Sequence, residues 1–427
     1  MDDEYDGGSH GAATGHDNFC YGISSGRFLS CLQDGGNITR HGAEGGIMRL
    51  LALSLTALII LSGVILLIVD KSVETGSSGD LTVASVMAGD GSGFRKADSV
   101  VDISFPRDHF AHPEFRTEWW YFTGNLSSAD GKRFGYQVTI FRNGIYPLKN
   151  EDTTGISASA VYSAHIGVSD LSTGEFHSFE SFARGSEGLG GSDPVNSVVY
   201  AGSVSLKYDF GADPSRPKMT VLAIKNNIKL ELELHPQKGP VLQGDKGLSR
   251  KSNKEGNASY YYSFTRLKTD AVFSVNGVQK QLTGYSWMDR EWSTSALDED
   301  QKGWDWFALH LDDQTELMYL RLRDREGNTN FQKGSFVSKD GSYTVLKGDD
   351  LKLTTLSFTN VDGIKYPSEW SIEVLPLSAR YSIKTAMKDQ EHKFSIRYYE
   401  GAVDAEKTEK GAKIPGKGYV ELTGYAD

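Results

Sequence analysis

Cysteine is nearly missing from this chain. Of 427 residues only Cys20 and Cys31 are cysteines, and both lie close to the start. Nothing downstream can form a disulfide, a thiolate nucleophile or a cysteine-based metal site. The Cys20–Cys31 spacing permits a local disulfide, but two free thiols in a loose tail are the favoured reading. Proline is scarce, at 11 residues, while glycine reaches 47, a balance that suits turn-rich β structure. The net charge is −11 with no block of Lys or Arg, which argues against nucleic acid as a partner. Signature motifs are absent as well. There is no HExxH helix and no P-loop, and Gly284-Tyr285-Ser286-Trp287-Met288 misses the nucleophile-elbow pattern at its last position. His109 and His112 are the one close histidine pair beyond the first 70 residues, a weak signal from which no metal site is assigned.

Long hydrophobic runs are missing too, with one exception. Leu50 to Val69 is uninterrupted and uncharged, long enough to span a bilayer and long for a signal-peptide core. Arg40 and Arg49 precede it, and Lys71 follows beside Asp70, a bias that places the N-terminus inside and the bulk of the chain outside the cytoplasm. Residues 1–46 are Gly-rich and acidic without apolar periodicity and read as a disordered tail. Met48-Arg49 resembles a natural start, which would make residues 1–47 an upstream extension. The expected organisation is thus a tail (1–46), a transmembrane signal anchor (47–70) and a flexible Ser/Gly/Asp-rich linker (71–98). In a Gram-negative source the remainder would be periplasmic.

From residue 99 the pattern is almost all β. Ile228 to Leu234 alternates strictly, as does Phe134 to Ile140, each predicting a strand with one wet face. Val198–Phe210, Tyr260–Leu267, Leu317–Arg323, Trp370–Leu375 and Tyr419–Tyr425 read likewise. Turn signals such as Asn276-Gly277 and Asp362-Gly363 recur at short intervals. Many short strands with such turns predict a sandwich or barrel. The length predicts two domains, 99–274 and 275–427.

Against these absences stand six of the seven tryptophans, gathered in two acidic stretches: Glu118-Trp119-Trp120-Tyr121, and Trp287 to Trp292 with Trp304-Asp305-Trp306. Strand alternation puts Thr117, Trp119 and Tyr121 on one face and Glu118, Trp120 and Phe122 on the other. Likewise Trp304, Trp306, Ala308 and His310 oppose Asp305, Phe307, Leu309 and Leu311. One reading is a shared aromatic cavity assembled from both halves of the molecule. The other is two pieces of core whose buried acids are held by Arg116 and Arg290. A carboxyl among indoles is desolvated and holds its proton to higher pH, so it can serve as a general acid. Aromatic faces can stabilise a cation. Together these suit protonation of a carbon–carbon double bond. They also suit sugar stacking beside paired acids, or purely structural ion pairs.

Longer motifs carry a family resemblance. Residues 105–126 (FPRDHFAHPEFRTEWWYFTGNL), GYQVTIFR, SAHIGVSD with His165, WMDREWSTSAL, GWDWFALHLDD, YYEGAV and GYVELTGY resemble the AttH-like/carotenoid 1,2-hydratase family, whose members are often described as predicted secreted hydrolases. The resemblance covers roughly residues 100–427. It implies an all-β fold of two lipocalin-like β-barrel domains, here preceded by a single N-terminal transmembrane helix. It implies a hydrophobic or amphipathic small-molecule ligand, a cofactor-independent hydratase or hydrolase activity, and an ABC-type transporter permease as a partner. The alternative it allows is a non-enzymatic binding or accessory protein of such a transporter. Asp289 matches the proton donor of the carotenoid hydratases. Those enzymes carry His after that Asp, whereas Arg290 stands here. Asp289 is thus the first catalytic candidate, and Glu118, the acid of the partner tryptophan stretch, is its expected proton-handling neighbour, since two carboxyls sharing a site push one pKa upward. Alternation directs Arg290 to the opposite face. Trp119, Trp120, Tyr121, His165, Trp287, Trp292, Trp304, Trp306 and His310 are the expected ligand-binding residues, and neither a cofactor nor a metal is implied.

Overall fold

The computed structural model describes residues 91–147, 159–295, 297, 298 and 300–426. The expected tail, the expected transmembrane helix (47–70) and residues 71–90 of the expected linker lie outside the described residues. Residues 91–98, assigned to that linker, belong to the folded body instead. Ala97 is buried in a core, the Arg95 backbone bonds to Glu114 and Thr294, and a β-carbon on Gly144 would come within 2.8 Å of the Phe94 ring. A single aromatic residue gives this Gly/Ser-rich stretch apolar surface to bury, which its average composition conceals.

Among the described residues the strands form two antiparallel, barrel-like sheets of 13 and 10 strands. Helix is limited to 3-10 turns, and no described helix is long and apolar enough to cross a membrane. The first sheet runs Glu175–Arg184, Ala160–Asp170, Arg133–Gly144, Thr117–Ser128, Val278–Ser295, Ala258–Val275 and Ile228–Pro236, then on to Gly190–Asp193 at its far edge. It curls until its ends meet, where Gly190 bridges to Gly185 and Ser186 just past the first strand. The second sheet centres on Glu316–Asp324, Gln301–Leu311, Ala412–Leu422 and Arg397–Glu409. The Gln332 side-chain amide helps close it, donating to the carbonyls of Gly348 and Leu351 at 2.8 and 2.9 Å.

The change of sheet comes between Ser295 and Gln301, some twenty residues after the division read from the sequence. Residue 275 ends one arm of a long hairpin within the first sheet. Asn276 and Gly277 there have φ of 50° and 80°, the left-handed pair that a two-residue hairpin turn of the right twist demands. The same Asn-Gly chemistry marks a turn inside a sheet and a break between sheets, so it could not tell them apart.

Three clusters of buried apolar side chains follow from strand parity. Trp120, Phe122, Val138, Ile140, Ile166, Leu232 and Trp292 fill the first barrel. Phe307, Leu309, Tyr319, Trp370, Val420 and Leu422 fill the second. Tyr121, Tyr261, Trp287, Trp306, Ala402 and Tyr419 lie where the two sheets face each other. This third layer explains a departure from expectation. Phe134 to Ile140 was to have a wet face, yet all seven residues are buried, because the second sheet covers what would have been the solvent side. Polar contacts set the docking register. Lys238 reaches from the first sheet to Glu316 (2.6 Å) and to the carbonyls of Gln314 and Ser338, and Arg266 meets Glu316 at 2.5 Å. Asn125 donates to the Gly418 carbonyl at 2.8 Å. Breaking a buried ion pair of this kind is costly, because it leaves one charge buried without its partner.

Candidate active site

Strand register builds the site in rows. Asp289 pairs with Tyr121, Tyr121 with Thr139, and Thr139 with His165. On its other side Asp289 pairs with Ser263. Two residues along, Glu291, Trp119, Phe141 and Ser163 form a parallel row. Directly paired residues project to the same side of a sheet, so both rows face one way, towards the second sheet. That sheet answers with Trp304 and Trp306, which pair with Leu322 and Leu320, and with Glu421, which pairs with Trp306. Between the two walls lies a cavity of about 290 Å3. Its lining is mainly aromatic and aliphatic, with a few carboxyls, the usual make-up of a small-molecule site.

Asp289 is the best-placed acid in this wall. Ser263 and the Trp287 indole donate to its Oδ1 at 2.6 and 2.7 Å, and Tyr261 donates to Oδ2 at 2.7 Å. Among the described residues it forms no ion pair. Burial pushes its pKa up to about 7; the three hydrogen bonds oppose this, and the nearby Glu291 charge adds to it. Tyr261 also accepts the Trp306 N–H at 3.3 Å, which joins the acid to an indole of the facing sheet. Glu421 is pushed up to about 8 by burial, against a hydrogen bond from Trp304 and with the help of Asp289 and Glu291. Behind it, buried Glu400 accepts the Tyr121 hydroxyl at 2.8 Å, and burial and Glu421 hold its carboxyl well above the usual range. Glu291 differs because Lys251 meets it at 2.5 Å. Near neutral pH the cavity therefore offers carboxyls that keep a share of their protons, beside one internal ion pair.

The structure brings Trp119, Tyr121, His165, Trp304, Trp306 and Asp289 of the expected residues to the cavity wall. The two tryptophan stretches do meet: the Tyr121 and Trp306 rings form an edge contact at 5.2 Å. Trp287 stands behind Asp289 as a hydrogen-bond donor. His310 is one layer further back, on the Thr265 carbonyl at 2.7 Å. Trp120 and Trp292 lie on the opposite face, inside the first barrel. There the Trp120 indole donates to the His109 carbonyl at 2.7 Å and Trp292 stacks on His112 at 4.0 Å.

Glu118 is not the neighbour of Asp289 that its sequence context suggested. It is fully buried in that same interior, paired with Arg290 at 2.5 Å and Arg142 at 3.1 Å, with His112 at 3.3 Å. Burial opposes its charge, but Arg290, His112 and Arg142 outweigh burial and hold its carboxyl far below the ordinary range. Strand parity is the physical reason, since an odd separation from Trp119 and Tyr121 turns Glu118 away from the cavity. Arg290 lies on that far side too and leaves Asp289 without a cation. The buried-acid reading thus holds for Glu118 with Arg290, Arg142 standing where Arg116 was expected, and the cavity reading holds for Asp289.

Several lining residues were not picked out from the sequence: Tyr261, Glu291, Lys251, Tyr398 and Glu421. Glu421 had a signal. It sits in the alternating GYVELTGY segment, where Val420 and Leu422 enter the second core, so Glu421 had to take the opposite face. Lys251 and Tyr398 carry no such local signal. The close pair His109 and His112 is engaged by protein groups: Tyr262 and the Pro214 carbonyl on His109, Asp108 and Glu118 on His112.

Comparison with known proteins adds four findings. A family model described as AttH-like matches residues 96–425. The crystal structure of a putative AttH from Nitrosomonas europaea is 28% identical, with a TM-score of 0.68, covering 77% of this chain and 99% of that one. The structure of kievitone hydratase from Nectria haematococca shares the fold at 16% identity, with a TM-score of 0.58, covering 78% of this chain and 98% of that one. No curated protein matches the chain in sequence.

Proposed function

This chain belongs to the AttH-like family, and from that premise we propose that it is a cofactor-independent hydratase for a hydrophobic or amphipathic alkene held between its two sheets. The observation that carries the reading is Asp289: a buried carboxyl on the wall of an aromatic cavity, free of any described ion pair, with a pKa near 7. Such a group is half protonated at neutral pH and suits general acid catalysis. The fold shared with a protein named as a hydratase agrees with this chemistry.

The step is the addition of water. The Asp289 O–H bond breaks as its proton forms a new C–H bond at one alkene carbon, and the π electrons of the alkene make that bond. Positive charge then resides on the other carbon. Trp119, Trp304 and Trp306 line the cavity around it, and aromatic faces attract cations most strongly where water is excluded. Water adds its oxygen to that carbon and gives up a proton. Tyr261, which donates to Asp289 and is exposed to the same cavity, can relay a proton back to the acid after the step.

The test is hydration in D2O. The full chain, incubated with farnesol as an acyclic isoprenoid probe, is expected to yield a hydrated product carrying one non-exchangeable deuterium on carbon. Product without that deuterium would rule out alkene protonation. Quenching of tryptophan fluorescence by the probe with no product at all would favour the second reading, a binding or accessory protein beside an ABC-type membrane transporter.

We also propose that residues 50–69 anchor the protein in a membrane with the sheets on the extracytoplasmic side, periplasmic in a Gram-negative cell. The support is the uncharged run and the basic residues before it. The protein is expected to stay with the membrane fraction in high salt and to be released by detergent. Release by salt alone would refute the anchor.

A further inference from the structure

A chain of hydrogen bonds leads from the cavity wall to the protein surface, and the Asp289 step does not use it. Tyr398 and His165 both line the cavity. The Tyr398 hydroxyl lies 2.7 Å from His165 Nδ1, and His165 Nε2 lies 3.2 Å from Glu180 Oε1. Ser395 donates its hydroxyl to the same carboxylate oxygen at 2.5 Å. An ionised carboxylate only accepts, so His165 must present N–H at Nε2. In the neutral imidazole Nδ1 is then an acceptor, and Tyr398 is its donor. Burial works against the Glu180 charge, but hydrogen bonds from His165 and Ser395 outweigh it and hold this carboxyl below its ordinary range. The Tyr398 oxygen keeps lone pairs free to accept from a molecule in the cavity. The Glu180 side chain is 17% exposed, so the chain ends at solvent.

The arrangement is the one an activated hydroxyl needs: hydroxyl, imidazole, then a carboxylate that fixes the ring. It draws on both sheets, Tyr398 from the second and His165 and Glu180 from the first. His165 stands in the same row as Asp289, three strands away, or roughly 14 Å along the sheet at the usual strand spacing. Both side chains point into one cavity, and Tyr398 reaches in from the opposite wall. The other titratable group close to His165 is His392, with ring centroids 6.2 Å apart. Its Nε2 is 3.1 Å from Gln137, and burial keeps it neutral.

We propose that Tyr398 and His165 form the base that takes the proton from the attacking water, with Glu180 as the positioning residue. This rests on the hydratase reading and supplies its second proton-handling group. As the water oxygen forms the C–O bond, one water O–H bond breaks and its proton passes along further water held in the cavity to the Tyr398 oxygen. The Tyr398 proton moves to His165 Nδ1 in the same event, giving an imidazolium beside the Glu180 carboxylate. The imidazolium gives its Nε2 proton to solvent at the exposed edge of Glu180, and the ring returns to the Nε2–H tautomer by proton exchange with solvent before the next turnover. Asp289 regains a proton from water before the next turnover, and the net change is alkene plus water to alcohol.

The ring tautomer is tested first and needs no substrate. Long-range proton–nitrogen spectra of the full chain labelled with 15N-histidine should show His165 protonated at Nε2 and unprotonated at Nδ1. Protonation at Nδ1 overturns the relay. Turnover of farnesol is tested next. Tyr398→Phe and His165→Gln should each lower kcat about 100-fold with KM within threefold, and the double variant should lose no more than either alone, as expected of groups acting as a unit. Glu180→Gln should lower kcat about tenfold and shift the His165 resonances. If Asp289→Asn is inactive while Tyr398→Phe keeps its kcat, or loses only KM, the relay is wrong and the hydratase reading stands. If the wild-type chain itself gives no hydration, the hydratase reading fails and takes the relay's catalytic role with it.

Discussion

Asp289→Asn is expected to cut turnover by two to four orders of magnitude, the usual contribution of a positioned general acid, while probe binding changes little. Asn keeps the shape, and its Oδ1 can still accept from Ser263 and Trp287. Stability should move the other way from activity. The Asp289 carboxyl is raised from 3.8 to about 7, so between those values the folded protein holds a proton that the unfolded chain has released. Stability therefore falls as pH rises through that window, and the full cost is present above about pH 7. Three pKa units correspond to roughly 4 kcal/mol at most. Asp289→Asn should unfold at a higher temperature than wild type at pH 8 and show no gain near pH 4. Wild-type turnover should decline above pH 7 as the proton is lost. A variant less stable than wild type at both pH values would make Asp289 a structural group and favour the binding reading.

Glu118→Gln is expected to destabilise the protein by about 3–5 kcal/mol, because it leaves Arg142 and Arg290 buried without their counter-charge. The pH dependence has the opposite sign to that of Asp289. The Glu118 carboxyl is depressed, so its stabilisation is present above the ordinary glutamate pKa and is lost as pH falls towards the folded value. Denaturant unfolding at pH 7 should show the full difference between variant and wild type, and the gap should narrow in strong acid. Ligand binding by the folded variant should be unchanged, since Glu118 faces away from the cavity. A variant as stable as wild type but without turnover would return Glu118 to the catalytic machinery.

Much of this protein was legible in one dimension. Alternation settled that Asp289 and Arg290 oppose each other, that Trp119 and Tyr121 part company with Glu118 and Trp120, and that Trp306 and Phe307 face different ways. The structure agrees with each of these. The motifs also placed the chain in its family, and the all-β pattern placed its strands. A period of two says which residues share a side, however, and not what that side packs against. Both faces of the Thr117–Ser128 strand carry aromatic residues and neither is exposed, so the local pattern could not tell barrel interior from cavity wall, and Glu118 was assigned to the wrong one. The Asn-Gly pair at 276–277 likewise reads the same in a hairpin and at a domain edge. Tertiary structure alone brought a carboxyl of the facing sheet to Asp289 and Glu291: Glu421 arrives from a strand 132 positions further along (421 − 289). It alone brought Tyr398 to His165 across 233 positions. These pairings come from the docking of two closed sheets, which buries a third apolar layer and fixes its register through contacts distant in sequence. No local propensity encodes such contacts, because their energy appears only once both sheets are formed.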